Sequence, residues 1–281
     1  MQNGEPSRTA LGAARHRADH QKLDGASIFR DPLAVAVLTP LAESADRSPT
    51  AAREDDAARR RLRLFIAARS RYTEDALADA YRAGIRQAII LGAGLDTFAY
   101  RNPHSSLRVF EVDHPATQSW KRQLLADTGI GVPASVTYLG ADFERDTLED
   151  VLAAGDFDAS QPAFVIWLGV TIYLTRPAIA ATLNTLGRLA PGSELVLDYG
   201  EPLGPQTAEE RAVAEERDRR LAAIGESWIS RFTPEEIAAE LKEAGLAVVE
   251  DLGPVATFAR YLGTPTAPER PGPHILRAEV V

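Results

Sequence analysis

The residues able to do chemistry cluster at three points where an apolar run ends. Ile89-Ile90-Leu91-Gly92-Ala93-Gly94-Leu95-Asp96-Thr97 reads as a strand entering a glycine turn. Gly92 and Gly94 let the backbone approach a ligand closely and take angles that other residues resist. The next run closes as Phe110-Glu111-Val112-Asp113. A carboxylate there can grip a ribose diol, or it can cap the helix that Pro115 begins. The third closes as Ala141-Asp142-Phe143. Asp142 can accept from an adenine amino group while Phe143 supplies an apolar wall, or Asp142 can cap the following helix. A glycine turn alone can also be no more than a structural turn. Three such signals at successive strand ends are more specific than any one of them.

The elements that must hold these residues alternate. Strands are predicted at Gln87–Leu91, Leu107–Val112, Ser135–Leu139, Ala163–Leu168, Glu194–Asp198, Ala247–Leu252 and Ile275–Val281. Helices are predicted at Pro115–Thr128, Glu144–Ala153, Arg176–Leu189, Thr207–Ile224 and Pro234–Ala244. Alternation of this kind implies a parallel sheet covered on both faces. Only Pro254–Leu262 and the Pro/Gly-rich stretch Thr264 to Pro273 separate the last two strands, which suits a final antiparallel strand beside the sixth. Before Gly84 the chain reads as helical. Asp31-Pro32 starts one segment, Ala51 to Arg63 is charged and solvated, and Leu62, Phe65, Ile66, Tyr72, Ala76, Leu77 and Ala80 form a helical apolar stripe. Residues 1–84 are expected to form a helical lid over the strand ends, and residues 85–281 the ligand-binding core.

Composition narrows the classes. The chain has 281 residues, 45% hydrophobic and 25% charged, as in ordinary globular domains. A net charge of −9 disfavours nucleic acid as partner or substrate. There are no cysteines, which removes disulfides, thiolate metal sites and a cysteine nucleophile. The five histidines (His16, His20, His104, His114 and His274) show no metal-ligand spacing, so no metal is expected. His114, beside a proline, reads as incidental. No apolar run approaches the roughly 20 residues needed to cross a bilayer, and no apolar segment follows Arg8, Arg15 and Arg17. No membrane association and a cytoplasmic location are the expectations.

Seven strands with a reversed last one resemble the class I methyltransferase arrangement, a Rossmann-like α/β fold. The segments "RQAIILGAGLDTFAYR", "FEVDHPATQSWKR", "GADF" and "WLGVTIYLT" are similar to the leucine carboxyl methyltransferase-like family of S-adenosylmethionine-dependent O-methyltransferases. The resemblance extends back through "AARHRADHQKLDGASIFRDPLA" and "IAARSRYTEDAL", and so spans roughly Thr9 to Tyr199. It implies S-adenosylmethionine as cofactor, with Gly92 and Gly94 lining it, Asp113 holding the ribose, and Asp142 and Phe143 meeting the adenine. It further implies that Arg69, with Arg17 as a second candidate, binds the methionine carboxylate, a pairing that guanidinium geometry favours. Arg69 also suits a stem that snorkels from its helix to solvent, with the ligand role as the favoured reading. Many family members carry Glu where this chain has Leu168. That departure points away from the protein-directed branch and toward the small-molecule branch.

The chemistry is then one of positioning, in which an acceptor oxygen must lie in line with an activated methyl group. A carboxylate acceptor is ionised at neutral pH, whereas a phenol of pKa about 10 profits from a base. No residue reads as an obvious base, so carboxylates stand slightly ahead. Tyr173, Tyr199 and Trp228 are the candidates to line the acceptor pocket, Trp228 with ordinary packing as the stronger reading. Two other classes fit parts of the pattern. A nicotinamide-dependent oxidoreductase shares the strand–glycine–acid order, but Thr97 stands where the third fingerprint glycine belongs. A non-catalytic binding member of the fold fits as well.

Overall fold

The computed structural model describes residues 6–41, 57–202, 204, 207–208, 211–212, 215–216, 219, 222, 227–263 and 271–281. Most of the expected helix Thr207–Ile224, the start of the charged Ala51 to Arg63 stretch and most of Thr264 to Pro273 lie outside these residues.

Seven strands form one sheet: β1 (Gln87–Leu91), β2 (Arg108–Asp113), β3 (Val136–Gly140), β4 (Ala163–Trp167), β5 (Glu194–Gly200), β6 (Leu246–Leu252) and β7 (Pro273–Val280). Their order is β3-β2-β1-β4-β5-β7-β6. The first five are parallel, and β7 runs antiparallel between β5 and β6. Every side chain of β1 and β4 is buried, which explains their unbroken apolar sequences.

Alternate residues supply two cores. Ile89, Leu91, Phe110, Val112, Val165, Trp167 and Leu197 meet Ile179 and Leu183 of α7 (Arg176–Leu186) and Ile237 and Leu241 of α8 (Pro234–Glu243). On the opposite face, Ala88, Ile90, Val109, Phe164, Ile166 and Val196 meet Phe65, Tyr72, Ala76, Leu77 and Ala80 of α3 (Ala57–Arg82). The latter stripe is the one legible in the sequence, except that its first expected member, Leu62, is exposed.

Two helices before α3 pack against the turn that follows β1. Helix α1 (Arg8–Leu23) is capped by Ser7, whose hydroxyl accepts from the Ala10 amide at 3.0 Å. Its Ala14 shares a buried cluster with Leu95, on the turn after β1, and with Leu124 and Leu125 of α5 (Pro115–Asp127). Asp31 starts the short α2 (Leu33–Ala36) by accepting from the amides of Leu33 and Ala34, both at 3.1 Å. Among the described residues, no helix is long and apolar enough to cross a membrane.

Two local expectations are corrected. The helix expected from Glu144 begins only at Leu148 (α6, Leu148–Ala153). Residues 142–146 form a turn instead, with the Asp146 carboxylate accepting from the Asp142 amide at 2.8 Å, and Thr147 is the cap. The cap of α5 (Pro115–Asp127) is His114, not Asp113: its Nδ1 accepts from the Ala116 amide at 3.3 Å. Two further helices are α4 (Phe98–Arg101) and α9 (Pro254–Leu262).

Candidate functional site

In an open α/β sheet, ligands bind beyond the carboxyl ends of the strands where the strand order reverses. Here that point lies between β1 and β4. Leaving β1, Gly92 adopts φ +63°, and its amide donates to the Val112 carbonyl at 2.8 Å. A Cβ at Gly92 would overlap Val170 Cγ2 on the turn after β4, so the two turns close on each other through glycine. Ala10 of α1 covers Gly94 from above.

Asp113 at the end of β2 is 9% exposed. Its two carboxylate oxygens accept from the amides of Gly94 and His114. Burial pushes its pKa above the ordinary carboxylate value, and the two amides oppose that shift. The carboxylate is thus fixed by backbone alone and keeps further lone pairs for hydroxyl donors. At the end of β3, Asp142 is half-buried and accepts from the Glu144 amide at 3.1 Å; it does not cap α6. Phe143 beside it packs against the first core.

The two arginines part company. Arg17 is 7% exposed and donates to the Leu95 carbonyl, with Asp31 at 3.6 Å and Asp96 at 3.8 Å. Asp31 in turn accepts from the Thr97 hydroxyl at 2.6 Å and lies 3.3 Å from Arg101. Arg17 therefore belongs to a buried network that ties α1 and α2 to the turn after β1. Arg69 reaches across from α3 to the ends of β4 and β5, where it pairs with Asp198. Asp198 also accepts from the Gly169 amide at 2.5 Å, and Arg69 rests against Gly169 itself, which has φ +71°.

Asp198 went unnoticed in the sequence, although it carries the same signal as Asp113: an acid closing an apolar strand. Leu168 is half-buried and packs with the α3 face of the core. Among the candidate pocket residues, Tyr173 is half-buried on the 3₁₀ turn Thr171–Tyr173. Trp228, also half-buried, stacks under Arg231 at 5.3 Å. Tyr199 is a correction. It is 2% exposed, donates its hydroxyl to Asp251 at 2.6 Å and stacks on His274, so it is a core residue and not a pocket wall.

Residues 10–187 match the model of the leucine carboxyl methyltransferase family. The chain belongs to that family. Relatives of the same kind extend the match. YktD of Bacillus subtilis, named for S-adenosyl-L-methionine-dependent methyl transfer, is 33% identical, with 90% of each chain covered. A Frankia alni protein named in the same way is 34% identical over 81% of this chain and 78% of its own. Among solved structures, a Thermobifida fusca protein described as a methyltransferase covers 99% of this chain and 96% of its own, with TM-score 0.58 and 21% identity. A DUF574-family protein from Streptomyces avermitilis covers 98% of both chains, with TM-score 0.57 and 19% identity. The likeness to the last two is one of fold. This leucine carboxyl methyltransferase family member thus has the class I methyltransferase fold, with its last strand antiparallel.

Proposed function

We propose that this chain transfers a methyl group from S-adenosylmethionine to an oxygen of a small carboxylic acid or phenol in small-molecule metabolism. The observation that carries the reading is the buried Asp113 carboxylate, fixed by the Gly94 amide at the strand-order reversal of a sheet of this family.

The residues fit the cofactor. Gly92 and Gly94 bring bare backbone to the crevice, Asp113 offers acceptors for a ribose diol, and Asp142 with Phe143 offers an acceptor and an apolar wall for adenine. Arg69 offers a guanidinium for the methionine carboxylate. Arg17, enclosed by Asp31 and Asp96, serves the reading as a strut that holds α1 over the turn. When bound, S-adenosylmethionine supplies a methyl group already activated as an electrophile. The chain has to hold the acceptor oxygen in line with it and keep water away. An acceptor carboxylate needs no base at neutral pH.

Residues 1–84 act in this proposal as the lid and residues 85–281 as the core, with a cytoplasmic setting. The apolar Leu168 and the cover given by α1 and α3 favour a compact, enclosed acceptor. The test is mass spectrometry of methyl transfer to a panel of small acids and phenols, beside a peptide ending in leucine. Turnover of a small acceptor with none of the peptide is expected. Methyl-ester formation on the peptide alone would overturn the acceptor assignment. Calorimetric binding of NAD in place of S-adenosylhomocysteine would overturn the cofactor.

A further inference from the structure

The segment just before α8 runs along the carboxyl ends of β4 and β5. The Ile229 amide donates to the Ile172 carbonyl at 2.7 Å, on the turn after β4, and the Ser230 hydroxyl donates to the Leu174 carbonyl at 2.6 Å. The Phe232 amide donates to the Gly200 carbonyl at 3.0 Å, at the end of β5. Between these anchors stands Arg231, half-buried. Its Nη1 donates to the Glu201 carbonyl at 3.1 Å, and its guanidinium lies 5.3 Å from the centre of the Trp228 ring. Gly200 has no side chain. The space above it is bounded by Arg231 Nη1, 3.8 Å from where a Cβ would lie, and by Ile172 Cγ2 at 3.9 Å. Gly200 and Asp198 are two residues apart and so share one face of β5. The Arg231 guanidinium therefore stands on the face that carries the Arg69–Asp198 pair, about 7 Å farther along the strand. Arg231 lies beyond residues 10–187, the part that matches the family model, so the family pattern does not assign it.

A guanidinium presents a planar fork of N–H donors that matches a carboxylate, and here the Glu201 carbonyl fixes the orientation of that fork. The surfaces beside it are apolar: the Trp228 ring and the Ile172 side chain. We propose that Arg231 is the acceptor-binding cation of the site, and that the acceptor is an organic acid whose carboxylate meets Arg231 while its body lies against Ile172 and Trp228. The proposal rests on the methyl-transfer reading above and narrows its acceptor from acid or phenol to acid. One carboxylate oxygen is held by the guanidinium, and the other attacks the methyl carbon. The O–CH3 bond forms as the S–CH3 bond breaks, the electron pair of the broken bond stays on sulfur, and no proton moves. The product ester is neutral and loses the charge-assisted contact, so the cation that selects the acid also releases the ester. A phenol is uncharged at neutral pH and makes no such contact.

The experiment is calorimetry on protein saturated with S-adenosylhomocysteine, with benzoate, phenylacetate and hexanoate, the methyl ester of each, and phenol as ligands. At least one acid should bind roughly tenfold or more tighter than its own ester and than phenol. Arg231→Gln should remove that preference, weakening the acid roughly tenfold or more and leaving the ester and S-adenosylhomocysteine within about twofold. Arg231→Lys keeps the charge without the fork and should recover part of the affinity for the acid. Thermal melts report folding of both variants, and the comparison of acid with ester on wild type needs no variant at all. Acids that bind no tighter than their esters would overturn the receptor and leave methyl transfer standing. Equal losses for acid, ester and S-adenosylhomocysteine in folded Arg231→Gln would do the same, by showing a role in structure only. Wild type that does not bind S-adenosylhomocysteine would overturn the cofactor reading, and the receptor with it.

Discussion

Strand β2 carries two buried carboxylates on one face, two residues apart, and they live in different surroundings. Glu111, 1% exposed, is enclosed by side chains: Lys121 Nζ at 2.8 Å, and the Tyr100 hydroxyl at 2.9 Å, which in turn meets the Tyr138 hydroxyl at 2.9 Å. Asp113 is held by backbone amides alone. Burial pushes both carboxyls up. Lys121 works against that at Glu111, whereas the amides of Gly94 and His114 do so at Asp113. A charge closed off by a cation and a phenol is a fixture of the fold. A charge held only from behind, at the open end of the strand, keeps its outer lone pairs for a ligand. What surrounds an acid, more than its depth, decides whether it is left free to take a ligand.

The sharpest way to break this contrast is Lys121→Met, which leaves Glu111 buried without its cation. A loss of about 3–5 kcal/mol of stability is expected in chemical denaturation. A small loss would mean that Glu111 is held mainly by Tyr100. Asp113→Ala should act on the other side of the comparison: little change in the melt, with S-adenosylhomocysteine binding weaker by about 1–3 kcal/mol in calorimetry. Wild-type affinity in folded Asp113→Ala would remove Asp113 from the site. Gly92→Ala should lose binding too, since its Cβ meets Val170 and its φ is strained for a side chain. Adding Val170→Ala should relieve only the clash.

His274 gives a third kind of buried group, and a smaller effect. Its Nδ1 meets Asp251 at 2.8 Å and its Nε2 meets Glu201 at 3.3 Å. Burial alone would depress the imidazolium, but the two carboxylates outweigh it and raise its pKa. The stability it lends is therefore complete below the ordinary imidazole pKa and is lost as pH rises through the raised folded value. His274→Gln should flatten that part of the pH–stability curve, by on the order of 1 kcal/mol. An unchanged slope would show that the two carboxylates do not hold it charged. The smallest effect expected is none: EDTA should leave methyl transfer unchanged, because no group of metal-binding side chains forms among the described residues. Activity lost to EDTA and restored by Mg²⁺ would point to Asp113 or Asp142 as a ligand.

The sequence by itself determined the elements and their order. Unbroken apolar runs such as Ala163–Trp167 can be satisfied only between two covering layers, and the α3 stripe has one period and one face to bury. It also determined the glycine turn and the acids that close β2 and β3, because those signals are local. Only the tertiary structure decided which charges meet. Arg17 and Arg69 look alike as arginines on predicted helices, yet one is locked among Asp31, Asp96 and Leu95 and the other reaches Asp198, 129 residues away. Tyr199 suits a pocket wall by its place after a strand, but β7, returning between β5 and β6, brings His274 alongside it and leaves Asp251 within reach. Asp113 suited the cap of α5, yet His114, which reads as incidental in the sequence, is the cap, while Asp113 is engaged by the amides of Gly94 and His114. Local pattern is written in neighbours along the chain. The partner of a buried charge is set by whichever distant element the fold places within about 3 Å of it, and no spacing in the sequence records that distance.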